Sequence, residues 1–246
     1  MKRYGLIGYP LSHSFSQRYF TDKFLKEQVS GCVYENYAIP SIDEFPALIQ
    51  QHPDLCGLNV TIPYKEKVIP FLTHQSQVVR TIGACNCIKI QNGELTGYNT
   101  DVTGFELSFA PHLQPHHKKA LVLGTGGAAK AVHYVLNKLG IEFLEVSRTP
   151  STPRQIAYHQ VNVAEYLIII NTSPVGMYPK VHECPPLPYH LLTPKHYLYD
   201  LVYNPAKTLF LQKGEERGAT IENGKDMLVI QAEESWRIWN DVGTKK

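Results

Sequence analysis

The chain has 246 residues, of which 43% are hydrophobic and 19% charged, a balance typical of a folded globular protein rather than a disordered one. Its formal net charge of +2 is too small to indicate a nucleic-acid partner, and its apolar runs are too short to cross a bilayer. Five cysteines without a secretory signal indicate reduced thiols, so we expect a cytoplasmic protein with no metal site and no membrane partner.

The first hundred residues alternate between strand-like and helix-like patterns. Alternating apolar residues predict strands at RYGLIGYP, VYENYAI and GLNVTIP. Helical spacing predicts a helix over residues 16–28, another after Ser41, which has capping-box spacing to Glu44, and a short one in YKEKVIPFL. NCIKIQNGELTGYNT predicts a hairpin that turns at Asn92–Gly93.

The pattern changes near residue 110. PHLQPHHKK is expected to be an exposed linker, and KALVLGTGGAAKAVHYVLNKLGIEFLEVSRT then predicts a strand, a glycine turn, a helix and a second strand. YLIIINTSP and HYLYDLVYNP predict two further buried strands, and GKDMLVIQAEESWRIWNDV predicts a last helix. We therefore expect an α/β protein with an N-terminal α/β domain at 1–100, joined by the C-terminal helix at 222–246, and a Rossmann-like doubly wound domain at 101–221.

The glycine turn in LVLGTGGAAKA has the context of a dinucleotide-binding turn, because it follows a predicted strand and opens a predicted helix. Gly124 would make the tight turn, and Gly126 would let the backbone approach a pyrophosphate at the helix N-terminus. Ala129 replaces the usual third glycine. The alternative is a glycine turn that binds no ligand.

The end of the second strand of this unit, EVSRT, distinguishes between cofactors. NAD sites usually have an acidic residue there for the ribose hydroxyls, whereas an arginine accommodates the 2′-phosphate of NADP. Ser147 occupies the position of the acid, Arg148 and Thr149 follow it, and Glu145 comes two residues too early. NADP is therefore favoured over NAD, with a solvated loop charge as the alternative for Arg148.

Several motifs occur together in the order and approximate spacing of shikimate dehydrogenases: YGLIGYPLSHSFS, NVTIPYKE, GACN, GYNTD, GTGGAAKA, SRT, NTSPVGM, YDLVYNP and GKDMLVIQA. The resemblance covers nearly the whole chain. It implies an oxidoreductase that reversibly reduces 3-dehydroshikimate to shikimate with NADPH, in chorismate and aromatic amino acid biosynthesis. Its active site would lie in the cleft between a substrate domain (1–100 with 222–246) and an NADP domain (101–221), in a monomer or homodimer.

Two alternatives stay open beside this interpretation. One is a quinate/shikimate dehydrogenase with relaxed choice of substrate or cofactor. The other is a non-catalytic ligand-binding relative that keeps the fold.

The resemblance also implies which residues act. Lys65 and Asp101 align with the catalytic lysine and aspartate of the family, and a lysine beside a carboxylate can supply a proton to a developing alkoxide. The substrate-binding residues would be Ser14, Ser16, Asn59, Thr61, Asn86, Tyr203 and Gln231. The cofactor-binding residues would be Gly124, Thr125, Gly126, Gly127, Ala128, Ser147, Arg148, Thr149, Thr172, Gly224 and Met227. Asn59 and Thr61 share one face of their predicted strand, which suits a cleft lined by polar groups.

The chain departs from the family pattern at three places. Gln17 replaces a proline, and Cys87 replaces a threonine near the substrate. After Thr149 the segment before the next core strand is short, and its two prolines disfavour the helix that family members have there. The cofactor domain is therefore expected to be trimmed at its adenosine edge, with Arg154 near the position of a second phosphate-binding arginine.

Overall fold

The computed structural model describes residues 1–11 and 14–241. The chain divides into two units: the first unit is Met1–Thr100 with Ala232–Lys246, and the second unit is Asp101–Gln231. Each contains, in its described residues, one six-stranded sheet. Over the described ranges, no helix combines the length and the apolar character needed to cross a membrane.

The first unit is built on a mixed sheet. Its strands are β1 (Lys2–Gly8), β2 (Cys32–Ala38), β3 (Leu55–Val60), β4 (His74–Gln75), β5 (Cys87–Gln91) and β6 (Glu94–Tyr98). They lie in the order β2-β1-β3-β5-β6-β4. β1 pairs in parallel with β2 and β3, whereas β5 pairs antiparallel with β3 and β6. Asn92 and Gly93 have positive φ angles and form the predicted turn between β5 and β6.

Three short helices belong to the first unit: α1 (Phe15–Lys26), α2 (Phe45–Gln51) and α3 (Gln77–Ile82). α1 begins where the Ser14 hydroxyl accepts a hydrogen bond from the Gln17 amide at 3.3 Å. The predicted capping box between Ser41 and Glu44 is present, at a 3-10 turn just before α2. The predicted helix in YKEKVIPFL is wrong, because only the 3-10 turn Ile69–Phe71 forms there. Proline removes a backbone donor within this turn and limits its length.

An aromatic cluster anchors the C-terminal helix, α7 (Lys225–Asn240), to the sheet of the first unit. Tyr4 of β1 stacks on Trp239 of α7 with ring centroids 5.0 Å apart. The Trp239 indole donates to the Ile88 carbonyl at 3.0 Å and lies directly over Gly57, where any Cβ would clash with it. The end of α7 is therefore part of the core of the first unit.

The second unit has a wholly parallel sheet. Its strands are β7 (Lys119–Leu123), β8 (Glu142–Val146), β9 (Gln155–Ile156), β10 (Ile168–Asn171), β11 (Tyr197–Asp200) and β12 (Thr220–Asn223). Their order, β12-β11-β10-β7-β8-β9, is that of a Rossmann sheet. The order reverses between β7 and β10, and this switch point is where doubly wound sheets bind ligands. The predicted fold class is confirmed.

The helices of the second unit are α4 (Thr100–Phe109), α5 (Gly127–Lys138), α6 (Leu209–Glu215) and the first part of α7. The segment between β8 and β10 is fully described and holds only β9 and a 3-10 turn (Tyr158–Gln160). The expected loss of a helix after Thr149 is confirmed. Pro150 and Pro153 lie where that helix would begin, and proline disfavours a helix interior.

The segment before β7 is exposed at most of its residues, as its composition predicts, but His117 is an exception. His117 is only 5% exposed. Its Nδ1 accepts a hydrogen bond from the Gln114 amide at 3.0 Å, so the proton is on Nε2, which donates to the Lys195 carbonyl at 2.9 Å. Both ring nitrogens are thus used by the neutral imidazole, and burial lowers the pKa of His117.

We expect the free energy of unfolding to fall as the pH drops below about 6.5, because the unfolded chain then binds a proton at residue 117 that the folded chain resists. Above that pH the imidazole is neutral in both states and contributes no slope. His117→Asn should show a shallower decline than the wild type between about pH 7.5 and about pH 5 in urea denaturation.

Burial raises the pKa of the Asp200 carboxyl to about 6, and this group has the opposite effect. Its contribution to the free energy of unfolding is lost as the pH rises toward that value. Asp200 is present in both the wild type and His117→Asn, so the difference between their pH slopes reports on His117 alone. Equal slopes for wild type and variant would contradict the prediction.

Candidate functional site

Buried polar side chains cluster at the carboxyl end of β3. Asn59 is 4% exposed, accepts a hydrogen bond from the Tyr34 hydroxyl at 2.8 Å and donates to Ser235 of α7 at 2.9 Å. Asn86 accepts from the Thr100 amide at 2.6 Å and donates to the Thr100 hydroxyl at 3.0 Å. The Thr100 and Ser235 hydroxyls lie 3.3 Å apart. Two predicted substrate residues, Asn59 and Asn86, therefore belong to one network within the first unit.

The serine motif meets this network at one of its two predicted residues. Ser16, in the first turn of α1, is 9% exposed and lies beside the phenol of Tyr34, whose pKa is raised by burial. Ser14 is the N-cap of α1. Residues 12 and 13 of the motif lie outside the described residues.

Cys87, which replaces the family's threonine, begins β5 and is fully buried. Burial raises the pKa of its thiol, which lies near Ser235 and Trp239. The substitution therefore lies in the core beside the polar network, where a small, weakly polar side chain packs well.

Thr61 and Lys65 lie in the loop after β3, not on the strand itself. The Thr61 amide donates to the Ile7 carbonyl at 2.9 Å. The Lys65 carbonyl accepts from the Cys85 amide at 2.7 Å, which holds the backbone of the lysine against the residue next to Asn86. The side chain of Lys65 is half-buried.

Asp101 lies in the first turn of α4 and is 7% exposed. The N-terminus of a helix carries partial positive charge, so an anionic side chain is stabilised there. Gly104, one turn later, lets α7 approach closely, because a Cβ at that position would lie 2.6 Å from the Met227 carbonyl oxygen and 3.2 Å from Cβ of Gln231. Residues three apart share a helix face, so Asp101 is on the side of α4 that meets Gln231.

The structure also shows why Met227 and Gln231 are buried. Met227 is 8% exposed and its backbone packs against Gly104. Gln231 is 7% exposed, and its side-chain amide donates to the Leu228 carbonyl at 3.0 Å. Both are held in place by the packing of the two helices.

The glycine turn between β7 and α5 has two distinct kinds of glycine. Gly124 has a φ of +111°, and a Cβ there would lie 2.9 Å from Thr172 Oγ1, so the fold itself requires glycine. At Gly126 and Gly127, in contrast, a Cβ would meet no described atom within 4 Å. Gly126 is the N-cap of α5, so no side chain of the N-cap accepts hydrogen bonds from the first backbone amides of that helix.

These observations fit a dinucleotide. The packing of the protein does not require glycine at position 126. The absence of a side chain there keeps open the space in which a pyrophosphate would reach the amides at the start of α5. Thr125 is exposed beside this space, and Ala128 follows in the first turn of the helix.

We expect Gly126→Ala to leave the free energy of unfolding within about 0.5 kcal/mol of the wild type, because the added methyl meets open space. The same methyl should weaken NADP⁺ binding about 10-fold or more by blocking the close approach of the phosphates. Gly57→Ala is the matched control, since its methyl would clash with Trp239 and cost about 1–3 kcal/mol. Unfolding curves and NADP⁺ titrations test both, and unchanged NADP⁺ affinity in Gly126→Ala would contradict the assignment.

The end of β8 presents the predicted cofactor-selecting residues. The Ser147 hydroxyl accepts a hydrogen bond from the Thr149 amide at 3.2 Å, and Arg148 and Thr149 are exposed. Glu145 is turned elsewhere, because its carboxylate accepts a hydrogen bond from the Gln155 side-chain amide at 2.7 Å. An exposed arginine without a competing acid suits a 2′-phosphate.

Arg154 does not share the position of Arg148 at the strand end. Its carbonyl accepts from the Glu145 amide at 3.0 Å, and its guanidinium lies over the Phe143 ring at 5.7 Å from the centroid. Arg154 is therefore fixed against the middle of β8 and ties the shortened segment to the sheet.

Three further predicted residues lie just after strands of this sheet, Thr172 after β10, Tyr203 after β11 and Gly224 after the edge strand β12. Thr172 donates through Oγ1 to the Leu123 carbonyl at 2.9 Å and so lies beside Gly124 at the switch point. Tyr203, in the turn after β11, is 38% exposed. At Gly224, a Cβ would collide with the backbone of Leu201, so packing alone requires this glycine.

Sequence reasoning missed the residues that connect the predicted ones. In the first unit these are Tyr34, Thr100 and Ser235, and in the second unit they are Asn171, Asp200 and Thr208. One signal was available for Ser235, which follows Gln231 by four residues and so shares its face of α7. Tyr34 has no such signal, because it resembles any aromatic residue in a buried strand.

A mixed-sheet unit combined with a Rossmann-type sheet and its glycine turn defines a two-unit α/β protein of the dinucleotide-binding class. A family model described as the shikimate dehydrogenase substrate binding domain matches residues 6–88. A Caldicellulosiruptor bescii protein named shikimate dehydrogenase (NADP(+)) is 36% identical over 261 residues, covering 98% of this chain and 90% of that protein. A Syntrophomonas wolfei protein of the same name is 38% identical over 251 residues, covering 92% and 85%.

A solved structure agrees with these relatives. The shikimate 5-dehydrogenase of Thermus thermophilus, solved in complex with NADP(H) and shikimate, is 28% identical, with a TM-score of 0.87 over 100% of this chain and 95% of that one. The chain belongs to the shikimate dehydrogenase family, as its motifs predict.

Proposed function

We propose that the protein catalyses the reversible, NADPH-dependent reduction of 3-dehydroshikimate to shikimate, an oxidoreductase step of chorismate and aromatic amino acid biosynthesis. The observation that carries this proposal is the similarity, at 36% identity over 98% of the chain, to a relative named for this activity with NADP(+). The open space at Gly126 and the exposed Arg148 support NADP(H) as the cofactor.

The substrate would be held by polar groups that are already oriented. Ser14 and Ser16, at the N-terminus of α1, would bind the ring carboxylate together with Tyr203, since a helix N-terminus favours an anion. The ring hydroxyls would meet Asn59, Thr61, Asn86 and Gln231. Hydrogen bonds of the buried network fix the Asn59 and Asn86 amides before substrate arrives, which lowers the ordering cost of binding.

The proton transfer would belong to Lys65 and Asp101. When bound, NADPH supplies the hydride that reduces the carbonyl. Lys65 would donate a proton to the developing alkoxide, and in the reverse direction it would take the proton from the substrate hydroxyl. Asp101, a nearly buried carboxylate, would hold the ammonium of the lysine in position.

The cofactor would lie along the second unit. Residues 124–128 would bind the pyrophosphate at the start of α5, and Ser147, Arg148 and Thr149 would bind the adenosine ribose and its 2′-phosphate. Thr172, Gly224 and Met227 complete the proposed contacts. Residues 1–100 with 222–246 would then serve as the substrate domain and 101–221 as the NADP domain, in a cytoplasmic monomer or homodimer.

The test is an absorbance assay of nicotinamide reduction with shikimate or quinate, each paired with NADP⁺ or NAD⁺. We expect the highest kcat/KM with shikimate and NADP⁺. Comparable turnover of quinate, or with NAD⁺, would favour the relative with relaxed choice. No turnover with any pairing, by a folded protein, would sink the proposal in favour of a non-catalytic relative.

A further inference from the structure

Asp200, the last residue of β11, is a fully buried carboxylate that accepts three hydrogen bonds. Asn171 Nδ2 and the Val202 amide donate to Oδ1 at 2.9 and 3.0 Å, and Thr208 Oγ1 donates to Oδ2 at 2.5 Å. Burying a charge is costly unless it is so paired. Three donors from three separate segments therefore converge on one side chain at the carboxyl edge of the sheet.

The bond to Asn171 determines the shape of the turn after β10. Because Asn171 Nδ2 donates to Asp200, its Oδ1 is left to accept from the Ser173 amide at 3.1 Å and the Ser173 hydroxyl at 2.7 Å. Asn171 Nδ2 also donates to the Val175 carbonyl at 3.3 Å. If the amide were reversed, two donors would face each other at Ser173. Asp200 thus selects the amide orientation that holds residues 171–175.

This turn borders the glycine turn across the switch point. Thr172 Oγ1 donates to the Leu123 carbonyl at 2.9 Å. The Cβ position of Gly124 lies 2.9 Å from Thr172 Oγ1 and 3.3 Å from the Ser173 amide nitrogen. Residues 172 and 173 therefore form one wall of the crevice in which a doubly wound sheet binds its ligand.

The other two bonds extend the same support to neighbouring segments. The Val202 amide fixes the start of the turn that carries Tyr203. Thr208 is the N-cap of α6, where its hydroxyl also accepts from the Leu211 amide at 3.4 Å. Asp200 thus links the turns that follow β10 and β11.

We propose that Asp200 is a positioning residue for the cofactor, because it holds the turn at 171–175 against the glycine turn at 124–127 and so preforms the dinucleotide site. This inference rests on the proposed NADP-dependent function. Asp200 touches no substrate or cofactor atom in this role and acts on the cofactor site through Asn171.

The experiment compares four variants by NADP⁺ titration and by steady-state kinetics, at a temperature where each is folded. Asp200→Ala and Ser173→Ala should each raise the Kd and KM for NADP⁺ about 10-fold. The first variant removes the charged acceptor of Asn171, and the second removes the hydroxyl that donates to Asn171 Oδ1. Their kcat at saturating NADP⁺ should stay within about 3-fold of the wild type, because the turn affects binding and not proton transfer. Asp200→Asn should recover part of the affinity, since its Oδ1 can still accept from Asn171.

Tyr199→Phe is the matched structural control. It removes a buried 2.6 Å hydrogen bond to Ser108 from the neighbouring residue of β11, whose side chain points to the other face of the sheet. Its Kd for NADP⁺ should match the wild type. If Asp200→Ala fails to fold, Ser173→Ala decides, since Ser173 is only half-buried.

Two outcomes would overturn the proposal separately from the proposed function. If the wild type binds NADP⁺ and Ser173→Ala and every folded Asp200 variant bind it equally well, Asp200 has a purely structural role. The same follows if Tyr199→Phe loses as much affinity as Asp200→Ala. If the wild type itself does not bind NADP⁺, the proposed function fails and this inference fails with it.

Discussion

Lys65→Ala and Asp101→Asn are each expected to lower kcat for shikimate oxidation at least about 10²-fold, because general acid–base catalysis by a positioned side chain contributes about 10²–10⁴-fold. The lysine is half-buried, and the aspartate is 7% exposed at the N-terminus of α4. Removing the amine leaves no group to take the hydroxyl proton. In the proposed mechanism, the neutral amide of Asp101→Asn would no longer orient the ammonium, while its similar size keeps the packing.

Two control variants distinguish this loss from a general effect of changing a charge. Lys67→Ala removes an exposed lysine two residues beyond Lys65. Glu106→Gln removes a carboxylate later in α4, where it forms a surface ion pair with Lys138 at 2.8 Å. Both controls should keep kcat within about 2-fold, since exposed pairs contribute little. Near-normal kcat in folded Lys65→Ala and Asp101→Asn would show that the proton-transfer assignment is wrong.

Arg148→Ala is expected to raise the Kd and KM for NADP⁺ about 10–100-fold, the cost of losing charge-assisted hydrogen bonds to the 2′-phosphate. Binding of NAD⁺, which lacks that phosphate, should change by less than about 2-fold. Fluorescence titration of both nucleotides, at low and high salt, measures the difference. The wild-type preference for NADP⁺ should weaken with salt, because an exposed charge is readily screened.

Arg154→Ala provides the control on the same segment. Its guanidinium lies over Phe143 and its carbonyl accepts from the Glu145 amide, so the variant should leave the ratio of NADP⁺ to NAD⁺ affinity unchanged. A small loss of stability, about 0.5–1 kcal/mol for a cation–π contact, is the expected effect. Should Arg154→Ala abolish the preference as fully as Arg148→Ala, the phosphate site includes both arginines.

The second unit was largely predictable because its strands are buried on both faces and appear as short apolar runs between turn residues. The helices that escaped prediction have weak periodicity. α4, TDVTGFELSF, has Val102, Phe105 and Phe109 on one face but Leu107 on the opposite face, so its amphipathic pattern is weak. α3 and α6 have six and seven residues, too few to establish a helical period.

Two predictions failed, in whole or in part, because they rested on local composition alone. YKEKVIPFL has helix-favouring residues, but the local chain is held by loop contacts such as that between Lys65 and Cys85. The histidines before β7 suggested exposure, and His112 and His116 are exposed, but His117 is buried with both of its ring nitrogens bonded to backbone partners. Neither partner is visible in a local pattern.

The residues of the candidate site are assigned from specific motifs, and their roles stay a prediction. The contacts that support these residues were not visible in any motif. Asn59, Thr100 and Ser235 come from three elements separated by many residues, and only the folded chain brings them together. The burial of the Asp200 carboxylate is likewise explained by hydrogen bonds from Asn171 and Thr208, which lie on neighbouring segments.

The placement of Trp239 has a consequence for the order in which the protein folds during synthesis. The core of the first unit needs Trp239 over Gly57 and against Tyr4, and the buried amide of Asn59 needs Ser235. These two α7 residues leave the ribosome only after the whole of 101–231 has been made. The second unit is continuous in sequence, so it can complete its sheet first. Until then the core of the nascent first unit lacks Trp239 over Gly57. The first unit is then the part of the chain most exposed to chaperones.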